Sequence, residues 1–301
     1  AEPHRGWLAH LVRTRTVVMM PMTNSLGYFQ NKREENSVDP NRDFPYDQSG
    51  ASCMRSVAAR AVNEVWREHL FQLALTFHGG MTAIAYEWGA PNHPGPNKDV
   101  SPDDRGQVVL SNKLSLYSGH FQGQSAYPTG RLNDLVYPVR GGMEDWGYAG
   151  SWDRHDTCAP NTFGGYPAAR TTYEDATLRA FNILVETADQ KKPAPATLGT
   201  DEEVFLAAGA GNGHVPRNAR LVLMAADAAQ PYVVWTRLPG LEPGRRLWPS
   251  QTDPDHLPRA TVDDSDEIHI AFEVWGAVTT DAAEVCLREA SSYAPAGGPE
   301  P

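Results

Sequence analysis

The chain has 301 residues, 41% hydrophobic and 21% charged, which is ordinary globular composition and leaves room for one large domain or two smaller ones. Its net charge of -11 argues against a nucleic-acid binder, which usually carries a basic face. No apolar run approaches the roughly 20 residues needed to span a bilayer.

Trp7, Leu8, Leu11 and Val12 give residues 7 to 13 the apolar spacing of a helix's last turns. Thr16 to Met20 reads as a short buried strand ended by Pro21, and Thr23 to Tyr28 as a turn rich in Asn, Ser and Gly. A polar loop runs on to Asn41-Arg42-Asp43-Phe44-Pro45. Residues 52 to 68 have helical spacing, with Ser49 or Ser52 as the cap and Val57, Ala58, Ala61, Val62, Val65 and Trp66 on one face.

Leu73 to Phe77 is an apolar run ending in His78, and Gly79 and Gly80 let the backbone turn before apolar residues return from Met81 to Tyr86. Ligands of open α/β sheets bind just outside the carboxyl ends of strands, and His78 stands at such an end. After a loop rich in Pro, Asn, Gly and Asp, residues 107 to 118 read as a helix. Residues 137 to 152 alternate glycine with aromatics and follow neither helix nor strand period, which predicts a structured loop pinned by Trp146 and Trp152. Ile183 to Thr187 is a strand with Glu186 near its end, where a general base would be placed.

Beyond residue 200 the segments 218 to 226, 231 to 237 and 267 to 278 read as strands between Pro, Gly and Asp clusters, which predicts a small all-β module, most simply a sandwich. Cys53, Cys158 and Cys286 are too few for a disulfide framework and too scattered for a zinc ribbon, although one disulfide is possible.

Five motifs stand in a meaningful order. Met20-Pro21 with Asn24 and Gly27 resembles the MPxxNPDG turn of zinc metallocarboxypeptidases, and Val38 to Pro45 resembles their VDLNRNFP. Phe77-His78-Gly79-Gly80 is similar to the LHGG of the carboxypeptidase N and E branch. Val139 to Tyr148 is similar to that branch's VxGGMQDWNY, and Val185-Glu186-Thr187 followed by Lys191 to its ELSxxKxP strand. The resemblance covers about residues 12 to 195.

It implies an α/β, mixed-sheet catalytic domain over residues 1–200, partial in this chain. A β-sandwich of the transthyretin-like type over 201–290 and a tail over 291–301 follow. It implies removal of single residues from peptide or protein C-termini with Zn2+ as cofactor, in a secreted or vesicular setting. By the resemblance His78 is a metal ligand, Glu186 the general base, and Asn41 and Arg42 the clamp for the terminal carboxylate. Tyr148 closes over the substrate. Arg33 is the candidate for polarising the scissile carbonyl, at a spacing about one residue shorter than usual.

The departures are equally specific. The family's other two zinc ligands come from an H-x-x-E motif, and none of the ten histidines has Glu three residues later. The expectation is that this motif lies upstream of residue 1, with His4 or His10 as the fallback ligands. Residues 155–173 read as an insert. The acid that ends the family's SYPYD stretch is missing at Ala85 to Gly89, with Glu87, Asp153 and Asp156 as nearby acids. The competing reading is a non-catalytic relative that binds peptide C-termini or a protein partner.

Overall fold

In the computed structural model the described residues are 4–94, 99–120, 126–153, 157–159, 165–173, 180–205, 213–229, 232–237 and 271–275. A four-stranded mixed sheet of β1 (Leu73–His78), β2 (Met81–Tyr86), β3 (Thr129–Arg131) and β4 (Phe181–Ala188) runs in the order β1-β4-β2-β3. β1 pairs parallel with β4, β2 antiparallel with β4, and β3 parallel with β2.

The two faces of the sheet follow from the period of two along each strand. Ile183 and Val185 of β4 join Ile84 and Tyr86 of β2 in a core with helices α1 (Arg5–Thr14), α4 (Asp104–Ser118) and α7 (His214–Ala228). Asn182, Leu184 and Glu186 therefore face the other side, where Leu184 packs with Leu132 of the short helix α5 (Leu132–Leu135) and the sheet meets α3 (Val57–Glu68) and α6 (Met143–Ala149). There Trp66, Trp146, Tyr148, Phe44 and Tyr46 form the second core.

Three helix ends show how the layers are tied. Trp7 of α1 donates its indole N–H to Asp227 of α7 at 2.6 Å. The Ser56 hydroxyl accepts the Ala59 N–H at the start of α3, so the cap lies later than Ser49 or Ser52. The buried Glu35 carboxylate accepts the next two N–H groups, Val57 at 2.7 Å and Ala58 at 2.9 Å, which satisfies orphan donors and favours the helix dipole. On the α3 face Ala58, Ala59, Val62 and Trp66 are buried, but Val57 at the first turn is exposed.

Several local expectations are corrected. Residues 218 to 226 are not a strand but the middle of α7, whose Leu221, Met224, Ala225 and Ala228 recur at helical spacing and are buried. This helix shares its core with α1, α4, β2 and β4, so the layered unit runs past residue 200. Residues 143 to 149 form α6 where a loop was expected, because Gly142 turns the chain into a helix start and Trp146 anchors it. Ser25–Gln30 is a short helix, α2, capped by Asn24. Thr16 to Met20 is not a strand; Val17 and Met19 are 59% and 75% exposed.

In the region expected to form a sandwich, the described residues form one antiparallel pair, β5 (Tyr232–Arg237) with β6 (Ala271–Trp275). The remainder of 231–301 and the centre of the 155–173 insert lie outside the described residues. Cys53 and Cys158 form a disulfide across 105 residues of sequence, and Cys286 lies outside the described residues.

Candidate functional site

Between the segment Arg15–Asn24 and β1 runs a cleft of about 720 Å³, lined among others by Arg33, Asn41, Thr76, His78 and Met143. β1 is the edge strand of the sheet on this side. His78 is its last residue, and its register partner on β4 is Glu186. Paired residues of neighbouring strands point to the same face, so both side chains stand on the α3–α6 side.

Gly80, with φ +136, follows in the turn to β2, and a Cβ there would meet the Lys191 side chain at 3.1 Å. The backbone of this turn thus lies against Lys191.

The Glu186 carboxyl is pushed above its ordinary range by burial, which outweighs the opposing influence of His78, Arg33, the Met81 N–H and Lys191. Its Oε2 is buried without a hydrogen-bond partner among the described residues. A half-buried carboxylate whose pKa is raised by burial is a stronger base than an exposed one, which suits proton abstraction.

Arg33 lines the same cleft as His78 and acts electrostatically on Glu186. Burial works against its charge, but Asp39 at 2.6 Å, with Tyr137 and Glu186, outweighs it and raises its pKa. Asp39 also accepts the Asn41 backbone N–H at 3.1 Å, which sets the 3-10 turn Pro40–Arg42.

Asn41 is locked on both sides. Its Oδ1 accepts the Met143 N–H at 2.8 Å, and its Nδ2 donates to Glu144 at 3.3 Å and lies 3.5 Å from His78 Nε2. Gly141 makes this approach possible: it has φ +65, and a Cβ there would sit 2.7 Å from the Arg42 carbonyl.

The Arg42 guanidinium is turned to its own chain and to Tyr137. It donates to the Asn41 carbonyl at 2.5 Å and to the Tyr137 hydroxyl at 3.3 Å, with Tyr137's ring centroid 5.9 Å away.

Tyr148 is not brought to this cleft. It is fully buried in the second core, edge-on to Trp88 and Trp152. Its hydroxyl donates to Asp103 at 2.7 Å, and burial, then Asp103, raises its pKa. The structure does not bring Tyr148 together with His78, Asn41 and Arg33. The helix α6 that carries it turns the ring into the aromatic core instead.

Sequence reasoning missed Glu144. Its signal was there, an acid where the resembled motif has Gln, but only the fold sets it beside Asn41 and His78. Of the buried pair behind the site, Glu87 was named as a nearby acid, but Asp145 was missed. Asp145 accepts the Gly89 N–H at 2.9 Å and is pushed up to about 7, first by burial. Glu87 is raised well above its usual range by burial, and accepts from Gln107 and the Asn182 N–H.

A family model described as zinc carboxypeptidase matches residues 5–157. The chain belongs to the zinc carboxypeptidase family. Carboxypeptidase SOL1 of Arabidopsis thaliana is 28% identical over 135 residues, 43% of this chain and 28% of the relative. Carboxypeptidase D of Rattus norvegicus is 28% identical over 159 residues, 46% of this chain and 12% of the relative. The chain thus spans well under half the length of these relatives. A carboxypeptidase A structure from Helicoverpa armigera superposes with a TM-score of 0.38 at 13% identity, covering 64% of this chain and 42% of that one.

Membership of a zinc family makes the donor set a question for the residues themselves. Among the described residues no group of three or more His, Cys, Asp or Glu side chains is placed to hold a metal ion. His4, one of the fallback ligands, is stacked on Phe205 at 4.4 Å beside α1. His10 is exposed on α1, whose buried face packs on the opposite side of the sheet. The described residues therefore do not make up a zinc centre, and His78 alone offers one imidazole where a catalytic zinc usually takes three protein ligands. No helix among the described residues is long and apolar enough to cross a membrane.

Proposed function

We propose that this chain carries the substrate-side part of a metallocarboxypeptidase-type site, acting on the C-termini of peptides or proteins. The observation that carries the reading is the pairing of His78 with Glu186 on adjacent parallel strands, with Asn41 beside His78 and Arg33 within electrostatic reach of Glu186. In this reading Glu186 takes a proton from the attacking water, and burial, which raises its pKa, makes it a stronger base than an exposed carboxylate. Arg33, already within the field of Glu186, stabilises charge that develops on the scissile carbonyl oxygen. Arg42 rotates off Tyr137 to clamp the terminal carboxylate, for which its two parallel donors are suited. His78 is the residue of this set suited to ligate a metal. The disulfide between Cys53 and Cys158 supports a secreted or vesicular setting, where such bonds persist.

A second reading is favoured by the donor set: a relative that binds peptide C-termini without turnover. One experiment separates the two. The chain is assayed for bound zinc and for release of C-terminal amino acids from a short peptide, beside Glu186→Gln and Arg42→Ala. Turnover that Glu186→Gln abolishes while peptide binding persists supports the hydrolase. Binding of the free acid but not of its amide, without turnover in any form, supports the binder.

A further inference from the structure

His93 lies outside the candidate site. Its ring stacks on Trp88, with 3.9 Å between centroids and 6° between planes. Its carbonyl accepts the Asn133 Nδ2–H at 2.7 Å. Nδ1 lies 2.6 Å from Asp99 Oδ2, and Nε2 lies 2.8 Å from Asp153 Oδ2. One histidine thus ties three stretches together: the turn after β2, the segment leading to α4, and the chain just past α6.

Tyr46 fixes how the protons are shared. Its hydroxyl lies 2.6 Å from Asp153 Oδ2 and 3.0 Å from His93 Nε2. Burial first, then Asp145 and Asp153, push its pKa up, so the phenol keeps its proton and donates it to Asp153. Nε2 is left to donate to Asp153, as Nδ1 does to Asp99. Carboxylates only accept, so the arrangement is complete when both ring nitrogens carry a hydrogen, which is the charged form of the side chain. A neutral ring satisfies one carboxylate and turns a lone pair to the other.

We infer that His93 is a proton-operated clasp, which in acid fastens both the segment before α4 and the chain past α6 to the Trp88 turn, and releases one of them as the pH rises. Histidine is the side chain that changes charge between about pH 5 and 8. Among the described residues the titratable groups facing the ring are Asp99, Asp153, Tyr46 and, through space, Asp145. Ionised acids attract a charged ring, so loss of the ring's proton removes attraction from the clasp. The clasp needs neither His78 nor the cleft, and it stands apart from the proposed activity.

The test follows hydrogen exchange of the backbone amides of residues 88–94 and 150–153 in the whole chain from about pH 5 to 8. Each rate is divided by its intrinsic rate at that pH, and the amides of β4 report the change in global stability. The native protein is compared with His93→Gln and Asp99→Asn, and thermal melts establish that each is folded. In the native protein, protection in at least one of the two stretches should fall on the order of ten- to a hundredfold more than in β4, the worth of a charge-assisted hydrogen bond. His93→Gln, which cannot change charge, should show no such step. In Asp99→Asn the step should lie at lower pH, because one acid that favours the charged ring is gone.

Equal steps in the native protein and in His93→Gln overturn the inference, since the titrating group would then be Asp145, which accepts the neighbouring Gly89 N–H. Protection that stays level in the native protein overturns it too, as does a step in Asp99→Asn at the native pH or above it. Should His93→Gln fail to fold, the Cε1–H resonance of His93 in the native protein takes its place. Its titration must then coincide with the step in protection, and a step without that coincidence overturns the inference.

Discussion

Asp145 should make the protein lose stability as the pH rises, and Asp145→Asn should remove that part of the slope. The carboxyl is 1% exposed and is pushed from its ordinary 3.8 to about 7, first by burial and with Glu144 adding to it. An unfolded chain ionises this group near 3.8. Below that pH both states hold the proton and nothing is lost. Between about 4 and about 7 the unfolded state gives up its proton first, so folding weakens steadily.

Above about 7 both states are ionised, and the loss reaches its full value of about 4 kcal/mol, an upper estimate from that gap. Asparagine can still accept the Gly89 N–H through its oxygen, but its NH2 faces the Ala90 N–H that now donates to the carboxylate. The variant should therefore be less stable than the native protein at pH 5, by about 1–3 kcal/mol for the misplaced donor. Its stability should then fall less between pH 5 and 8. Glu87, raised by burial in the same way, leaves part of the slope in both proteins. Urea unfolding at intervals from pH 4.5 to 8 gives both curves. Parallel curves would refute the argument, since Asp145 would then carry no linkage.

Gly141→Ala should cost at least about 1–3 kcal/mol, because φ is +65 there and the new Cβ would lie 2.7 Å from the Arg42 carbonyl; chemical denaturation measures it, and a neutral result would mean the segment can move. Reduction of Cys53–Cys158, or Cys53→Ser with Cys158→Ser, should lower stability by up to about 4–5 kcal/mol for a loop of this length, read as a drop in Tm. Met19→Lys with Val17→Lys should reduce self-association, since both side chains are exposed beside the unpaired edge of β1, and light scattering at rising concentration tests it. After dialysis against a weak chelator the chain should retain zinc below one equivalent, because among the described residues His78 is not joined by two further ligands; retained stoichiometric zinc would show that other residues complete the site.

The sequence by itself was enough for β1, β4, α3 and α4, because the apolar residues of each follow one period or form one continuous run, whereas Met81 to Tyr86 was legible only as an apolar stretch until its pairing with β4 made it β2. It was also enough to put His78 at a strand end and Glu186 near another, since those positions follow from local pattern alone. It misled at Asn218 to Ala226, where a short apolar run fits a buried strand and a helix face equally well. The burial of Leu221, Met224, Ala225 and Ala228 against α1 and α4 decided for the helix.

Tertiary structure alone decided which side chains meet. Tyr148 sits on a helix whose aromatic face is claimed by Trp88 and Trp152, so its ring turns inward although its motif suggests a place at the substrate. Glu35 caps a helix that begins 22 residues later. Glu144 reaches Asn41 across 103 residues and Thr76 across 68. Such contacts leave no periodic trace in the chain, because they are fixed by how the layers pack and not by spacing along one element.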